Sequence, residues 1–268
     1  MNFPTSQTPP PPLPGQPAMP VTPPEPAGPG LSEPQRLINV LIAPSKTFED
    51  LKRKSSWWVP WLVTGIFTII FAAVAVQKID MAHFIQQQME KSPSAQKRME
   101  QLSPEQRAKA TELQGTITKV AFFAFPLISL IGGLIMAAVF MVIFNFILAA
   151  EVPFERAMAV VFYSYIPFII SSILLTASLL FSSDASNIDL ANPMPTNLGF
   201  FMDPHGNRFL YEIASALDIF SIWVVVLLGL GFATASSNRK PSKSTGIVTM
   251  LVVFAIFILG RSAWRAFV

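Results

Sequence analysis

The sequence predicts an all-α fold: a polytopic integral membrane protein, a bundle of five transmembrane helices behind a disordered, Pro-rich N-terminal tail. Three observations predict it. Of 268 residues 51% are hydrophobic and only 13% charged, against roughly 25% charged in an average soluble domain. Five stretches approach the about 20 mostly apolar residues that cross a bilayer. Residues 1–34 hold 13 of the 24 prolines, too few apolar side chains to offset chain entropy and too few amides for a regular ladder.

That first segment, 1–34, is expected to be disordered with polyproline II character. Its PPPPLP run, Pro9 to Pro14, has the P-x-x-P spacing that aromatic grooves recognise, so a protein partner for the tail is open. A basic n-region and an apolar h-region are both missing from it, so the first span is expected to remain in the mature protein. Residues 35–56 follow as two amphipathic juxtamembrane helices. Leu37, Val40 and Leu41 lie at helical spacing, Pro44 interrupts, and Ser45 can cap a second helix carrying Phe48 and Leu51. Lys52, Arg53 and Lys54 end this collar, which is expected to lie in the headgroup zone against membrane lipid.

The membrane domain, 57–268, has spans expected at about 57–77, 120–150, 157–181, 213–235 and 246–267. Trp57, Trp58 and Trp61 make an interfacial belt where the first begins. The second is long enough that it must tilt, bend at Pro126 or emerge at one end. In the third, 25 residues without a charge carry hydroxyls and a helix breaker: Tyr163, Ser164, Tyr165, Pro167, Ser171, Ser172 and Thr176. Tyr165, Ser172 and Thr176 fall nearly on one helical stripe, with Ser164, Ser171 and Ser178 beside them. In lipid such side chains bond to neighbouring helices or to the carbonyl that Pro167 leaves free, so this face is read as turned toward other helices. Gly132, Gly133 and Ala137, and Gly229, Gly231 and Ala235, offer small surfaces for close packing, and homo-oligomerisation through such faces is open. In the fifth span Arg261 and Arg265 are placed to snorkel to the far interface.

Between the spans, 78–119 reads as a helical extramembrane loop. Met81, Phe84, Ile85 and Met89 make a narrow stripe, and Ser103-Pro104-Glu105-Gln106 is a helix start with a capping box. Residues 182–208 read as an irregular loop whose Leu198, Phe200 and Phe201 can dip into the interface. Basic residues concentrate beside span ends in LKRKSSWW and SSNRKPSKS. That places the N-terminus in the cytoplasm and the C-terminus outside, in a multi-pass protein of the cell inner membrane.

A reaction centre is not visible. With no cysteine, a disulfide framework, an iron–sulfur site and a thiol nucleophile are all excluded. His83 and His205 lie on separate loops, and no metal or phosphate-loop motif occurs. Glu151 and Glu155 stand across Pro153 and read as charges that end a span. The 19 basic residues are dispersed and nearly balanced by 16 acids, so no nucleic-acid patch is read. The protein is expected to be no enzyme, to need no cofactor and to bind no metal. A small-solute or lipid transporter working along the polar face of the third span is the alternative.

The juxtamembrane APSKTFEDL (Ala43 to Leu51), the EVPFERAMAVVFYSYIP linking the second and third spans, the LDIFSIW opening of the fourth and the five spans together resemble the Yip family of multi-spanning membrane proteins. The long first loop resembles its bacterial members. The resemblance covers residues 37–266 and implies a five-span plan with a cytosolic N-terminus and a membrane-organising or recruiting role. Eukaryotic members are associated with vesicle traffic and small GTPases. The bacterial ones largely lack an assigned activity, and the family supplies no binding residue by position.

Overall fold

The computed structural model describes residues 29–90, 93–182, 192–204, 206–237 and 241–267. The Pro-rich segment therefore lies almost wholly outside the described residues, as does His205. All regular elements among the described residues are helical, with one isolated bridge between Asn197 and Asp218.

Helices α1 (Glu33–Ile42) and α2 (Pro44–Asp50) form a collar before α3 (Trp58–Lys78). Ser32 and Gln35 make a reciprocal capping box at the start of α1, and proline opens both α1 and α2, where a missing amide hydrogen costs nothing. The collar does not simply lie against lipid as expected. Val40, Phe48 and Leu51 are fully buried, and α2 packs on the membrane bundle. The physical reason is shape: Gly231 leaves a hollow in the fourth apolar helix, and a Cβ there would stand 2.9 Å from the Phe48 ring. Ile38 and Ile42 on the other side of α1 stay exposed.

The extramembrane segment folds as α4 (Met81–Glu90) and α5 (Pro93–Glu100), and then as the first part of α6 (Pro104–Leu148). Ser103 and Gln106 make the expected capping box of α6. Ile85 packs on this polar part of α6, its Cδ1 lying 3.5 Å from where a Cβ on Gly115 would be. With 45 residues, α6 is about 68 Å long, far more than the roughly 30 Å of hydrocarbon, so it emerges instead of bending to fit. Pro126 lies inside it without ending it.

The third apolar segment is two helices, α7 (Phe154–Ser164) and α8 (Pro167–Phe181), with a break at Tyr165 and Ile166. Proline cannot donate to the Tyr163 carbonyl, which instead takes the Ile166 N–H at 3.2 Å. The fourth is also divided, into α9 (Arg208–Ala216) and α10 (Ile219–Ala235). Asp218 makes this division by accepting from the amides of Phe220 and Ser221, an N-cap that restarts the chain. Helix α11 (Lys243–Phe267) completes the fold. Among the described residues, four segments are long and apolar enough to cross a membrane: Trp58–Lys78, Pro104–Leu148, Phe154–Phe181 and Lys243–Arg265. Helix α10 has only 17 residues.

Packing centres on α10. Its Phe232 stacks on Phe144 with ring centroids 4.9 Å apart and meets the edge of Phe140 at 5.9 Å. Gly229 faces Gly246 of α11 so closely that a Cβ on Gly229 would come within 2.5 Å of the Ile247 Cα. The turn between α6 and α7 holds Ala149 and Glu151 in the left-handed region, at φ 48° and 51°. Such strain needs surroundings that impose it. Asn145 supplies them by pairing with both backbone groups of Val152, at 2.8 and 3.1 Å, while the Ala150 carbonyl accepts from Ser236 Oγ and the Ser237 N–H. Arg156 closes the clasp by donating to the Ala235 carbonyl at 2.8 Å. EVPFER is thus a fastener between α6, α7 and the end of α10.

Arg261 and Arg265 also do more than snorkel. Both reach the carboxylate of Glu212 on α9, at 3.0 and 3.1 Å, so the far end of the bundle is tied by a shared, nearly buried acid.

Gly229→Val is expected to lower stability by about 1–3 kcal/mol through overpacking. Gly132→Ala, whose added methyl meets nothing within 4 Å, should change it by less than about 0.5 kcal/mol. Thermal unfolding of the two purified variants in one detergent checks both.

Candidate functional site

Two features on the third apolar segment use the hydroxyl series, and they lie on different sides of it. The first is at the collar. Tyr163, fully buried, donates its hydroxyl to Glu33 Oε2 at 2.6 Å across to α1. The other oxygen of Glu33 takes Arg36 at 3.2 Å, and Arg36 Nε donates to Asp50 of α2 at 2.7 Å. The second Asp50 oxygen accepts the Leu31 N–H at 3.2 Å and faces Arg53 at 3.8 Å, and Thr47 Oγ1 donates to the Arg36 carbonyl. Arg36 is 3% exposed, so its charge depends on these partners. Burial pulls the guanidinium pKa down, but the hydrogen bond and charge of Asp50, with Glu33, outweigh it and leave the pKa above its ordinary value. Arg36 therefore keeps its charge, and the network around it fixes α1, α2 and α7 relative to one another.

The second feature is a cleft of about 590 Å³ between α3, α6 and the α7–α8 break. Phe67, Phe71, Phe122, Phe125 and Phe168 make its walls, and Tyr165, Ser171 and Ser172 line one side. Across from them stand Thr64, Thr68 and Ser129, each of which donates to a carbonyl of its own helix. Trp61 closes the collar end by donating Nε1 to the Pro126 carbonyl at 2.9 Å. That bond uses a carbonyl beside the helix-interior proline and pins α3 to α6, where Gly65 lies against the Pro126 ring.

The remaining residues singled out in the sequence fall as follows. Ser164 is fully buried with no hydrogen-bond partner for Oγ among the described residues. Pro167 opens α8 and is buried. Thr176 donates to the Ser172 carbonyl of its own helix at 2.7 Å. Tyr163 and Tyr165, two residues apart, point to nearly opposite sides of the segment and serve different neighbours, while Tyr165 and Ser172 share the cleft. Of the three tryptophans, only Trp58 faces outward. Trp57 packs on Phe162 at 5.9 Å and Trp61 is the bolt just described. Lys52 pairs with Glu49, Arg53 reaches Asp50, and Lys54 is exposed. Glu151 and Glu155 are exposed at the clasp turn, remote in sequence and element from His83 on α4. Sequence reasoning missed Glu33, Arg36 and Asp50 as a unit. Their signal was two acids and a base at opposite ends of two short amphipathic helices, which pattern alone does not pair.

The class of protein is defined by these features: a helical integral membrane protein with a collar locked onto its membrane bundle. The chain belongs to the Yip1 domain family, whose sequence pattern matches residues 38–262. It is similar to "Membrane protein YknW" of Bacillus subtilis (strain 168), 24% identical over 233 residues, which covers 84% of this chain and 90% of that one. No solved structure matches.

Asp50→Asn, which strands a buried guanidinium, is expected to cost about 3–5 kcal/mol. Tyr163→Phe, which removes one bond to a charged acceptor, should cost about 1.5–3 kcal/mol. Because the chain lacks cysteine, a single cysteine at Ala43 reports on the collar: faster thiol labelling in both variants, more so with Asp50→Asn, is the expected order.

Proposed function

We propose that this protein is a non-enzymatic organiser of the membrane, which holds its Pro-rich tail at a fixed point on one membrane face so that a partner is recruited there. The observation that carries this reading is the collar lock. Glu33, the first residue of α1, is bonded to Tyr163 of the membrane bundle at 2.6 Å, so the tail leaves from a rigid platform and not from a loose linker. A rigid exit confines a P-x-x-P ligand to the surface and raises its effective concentration for anything that binds there.

The same reading takes α10 as a fifth crossing. Its 17 residues, 12 of them buried, span about 26 Å, enough for a central helix that its neighbours shield from lipid. Five crossings put the termini on opposite faces, with the N-terminus in the cytoplasm of an inner-membrane protein.

A second reading, passage of a lipid or small solute, is favoured by the cleft beside Tyr165. Liposomes with the purified protein should then show flux that falls with Tyr165→Phe or Ser172→Ala; no flux with the unaltered chain removes it.

For the recruiting reading, crosslinking in native membranes should recover a defined protein with the full chain and lose it on deletion of residues 1–28, which leaves Ser32 and Glu33 of the collar in place. An unchanged set of partners after the deletion overturns it. Cysteines placed singly at Ser6 and Val268 should be labelled from opposite sides of the membrane; labelling from one side overturns the fifth crossing.

A further inference from the structure

The cleft between α3, α6 and α8 has an asymmetry in its hydrogen bonding. Thr64, Thr68 and Ser129 on two of its walls satisfy themselves on their own helices. On the third wall the hydroxyls of Tyr165, Ser171 and Ser172 have no hydrogen-bond partner among the described residues. A serine can turn back to a carbonyl of its own helix. A tyrosine cannot, because its ring holds the hydroxyl away from the backbone. Tyr165 is wedged between Phe162 and Phe168, with ring centroids 6.3 and 6.0 Å away, in a cleft walled mainly by phenylalanine and with no charged residue in its lining. An unmet donor at that depth costs free energy until something supplies an acceptor.

What supplies it follows from depth and chemistry. Tyr163 is fixed at the collar by Glu33, and Tyr165 lies only two residues further along, just inside the level marked by Trp57 and Trp58. Tryptophan marks the headgroup zone, and the ester carbonyls of a glycerolipid lie immediately beneath it. From Tyr165 the cleft continues inward past Phe168, Phe122 and Phe71, a path of about 15 Å along α3 from Trp61 to Phe71. Those walls suit a hydrocarbon chain and penalise a hydrated solute. The volume of about 590 Å³ lies within the about 300–1,000 Å³ of ordinary ligand sites. Gly132 leaves the cleft floor open, since nothing lies within 4 Å of a Cβ placed there.

We propose that this cleft is a lipid site: one acyl chain of a bilayer glycerolipid lies between α3, α6 and α8, with the Tyr165 hydroxyl donating to its ester carbonyl. The site deepens the transport reading without requiring it, because occupancy and movement are separate properties. It is independent of the collar and tail.

The test is photolabelling of the full chain in nanodiscs of phosphatidylcholine whose acyl chain carries a diazirine, with labelled residues identified by mass spectrometry. Phe71, Phe122 and Met136 should label more strongly than Val252 and Ile256 on the outer side of α11, which meet only bulk lipid. Gly132→Leu fills the cleft and should remove the first set while leaving the second, which also reports that the variant is folded. Ester-linked lipid should out-label its ether-linked analogue by about three- to tenfold, the worth of one hydrogen bond, and Tyr165→Phe should abolish that preference. Equal labelling of the cleft and of α11, or cleft labelling that survives Gly132→Leu, overturns the site. Equal labelling by ester and ether lipid overturns the role of Tyr165. Flux measurements do not enter, so failure of the transport reading and failure of this one are told apart.

Discussion

A buried charge at the membrane boundary must be neutralised where it stands, and the collar of this protein is built around that constraint. Arg36 is nearly inaccessible, and no single acid serves all of its donors. Asp50 and Glu33 share the task. Once both are drawn in, α1 and α2 can be neither loose nor far apart, and the remaining oxygen of Glu33 accepts from the hydroxyl of Tyr163. The bond at 2.6 Å thus converts a local neutralisation into a connection between the collar and a membrane helix. Replacing such a network with apolar side chains is often no less stable, so its benefit lies in fixing one arrangement of collar and bundle.

The rest of the bundle answers to that arrangement through small residues. In lipid there is no hydrophobic force between helices, and close approach is what holds them together. Gly231 makes room for Phe48 of the collar, Gly229 and Gly246 let α10 and α11 touch along their backbones, and Gly133 admits the Phe162 ring. Gly132, one residue from Gly133, does the opposite and leaves space. The cleft is therefore a place where packing stops, beside two breaks in regularity: Pro126 in α6, whose carbonyl is drawn out to Trp61, and the α7–α8 junction at Pro167.

Both ends of the membrane domain use backbone groups freed by such breaks. At the clasp, two residues held in left-handed conformations expose the Ala150 carbonyl to Ser236 and Ser237. At the far end, Asp218 stops α9 and starts α10, and Glu212 on the detached α9 collects two arginines from α11. Glu212, Arg261 and Arg265 at that end are accordingly paired to fixed partners.

The sequence by itself determined the helical class, the presence of long apolar segments, the capping box of α6 and the family. These depend on neighbours in the chain: local hydropathy, a Ser three residues before a Gln, a proline at a helix start. Legibility ended where a residue's partner was remote. Nothing near Tyr163 tells that its hydroxyl meets Glu33, 130 positions away, or that Tyr165, two residues on, faces a cleft instead. The face drawn through Tyr165, Ser172 and Thr176 assumed one straight helix; across the break before Pro167, Tyr165 and Ser172 still meet at the cleft, while Thr176 bonds back to its own helix. Asn145 was a polar residue near the end of an apolar span until the turn it clasps came beside it. Only the tertiary structure decided which hydroxyls lock the collar and which remain free, because hydrogen bonds in a membrane domain are satisfied across helices, by proximity that periodicity does not encode.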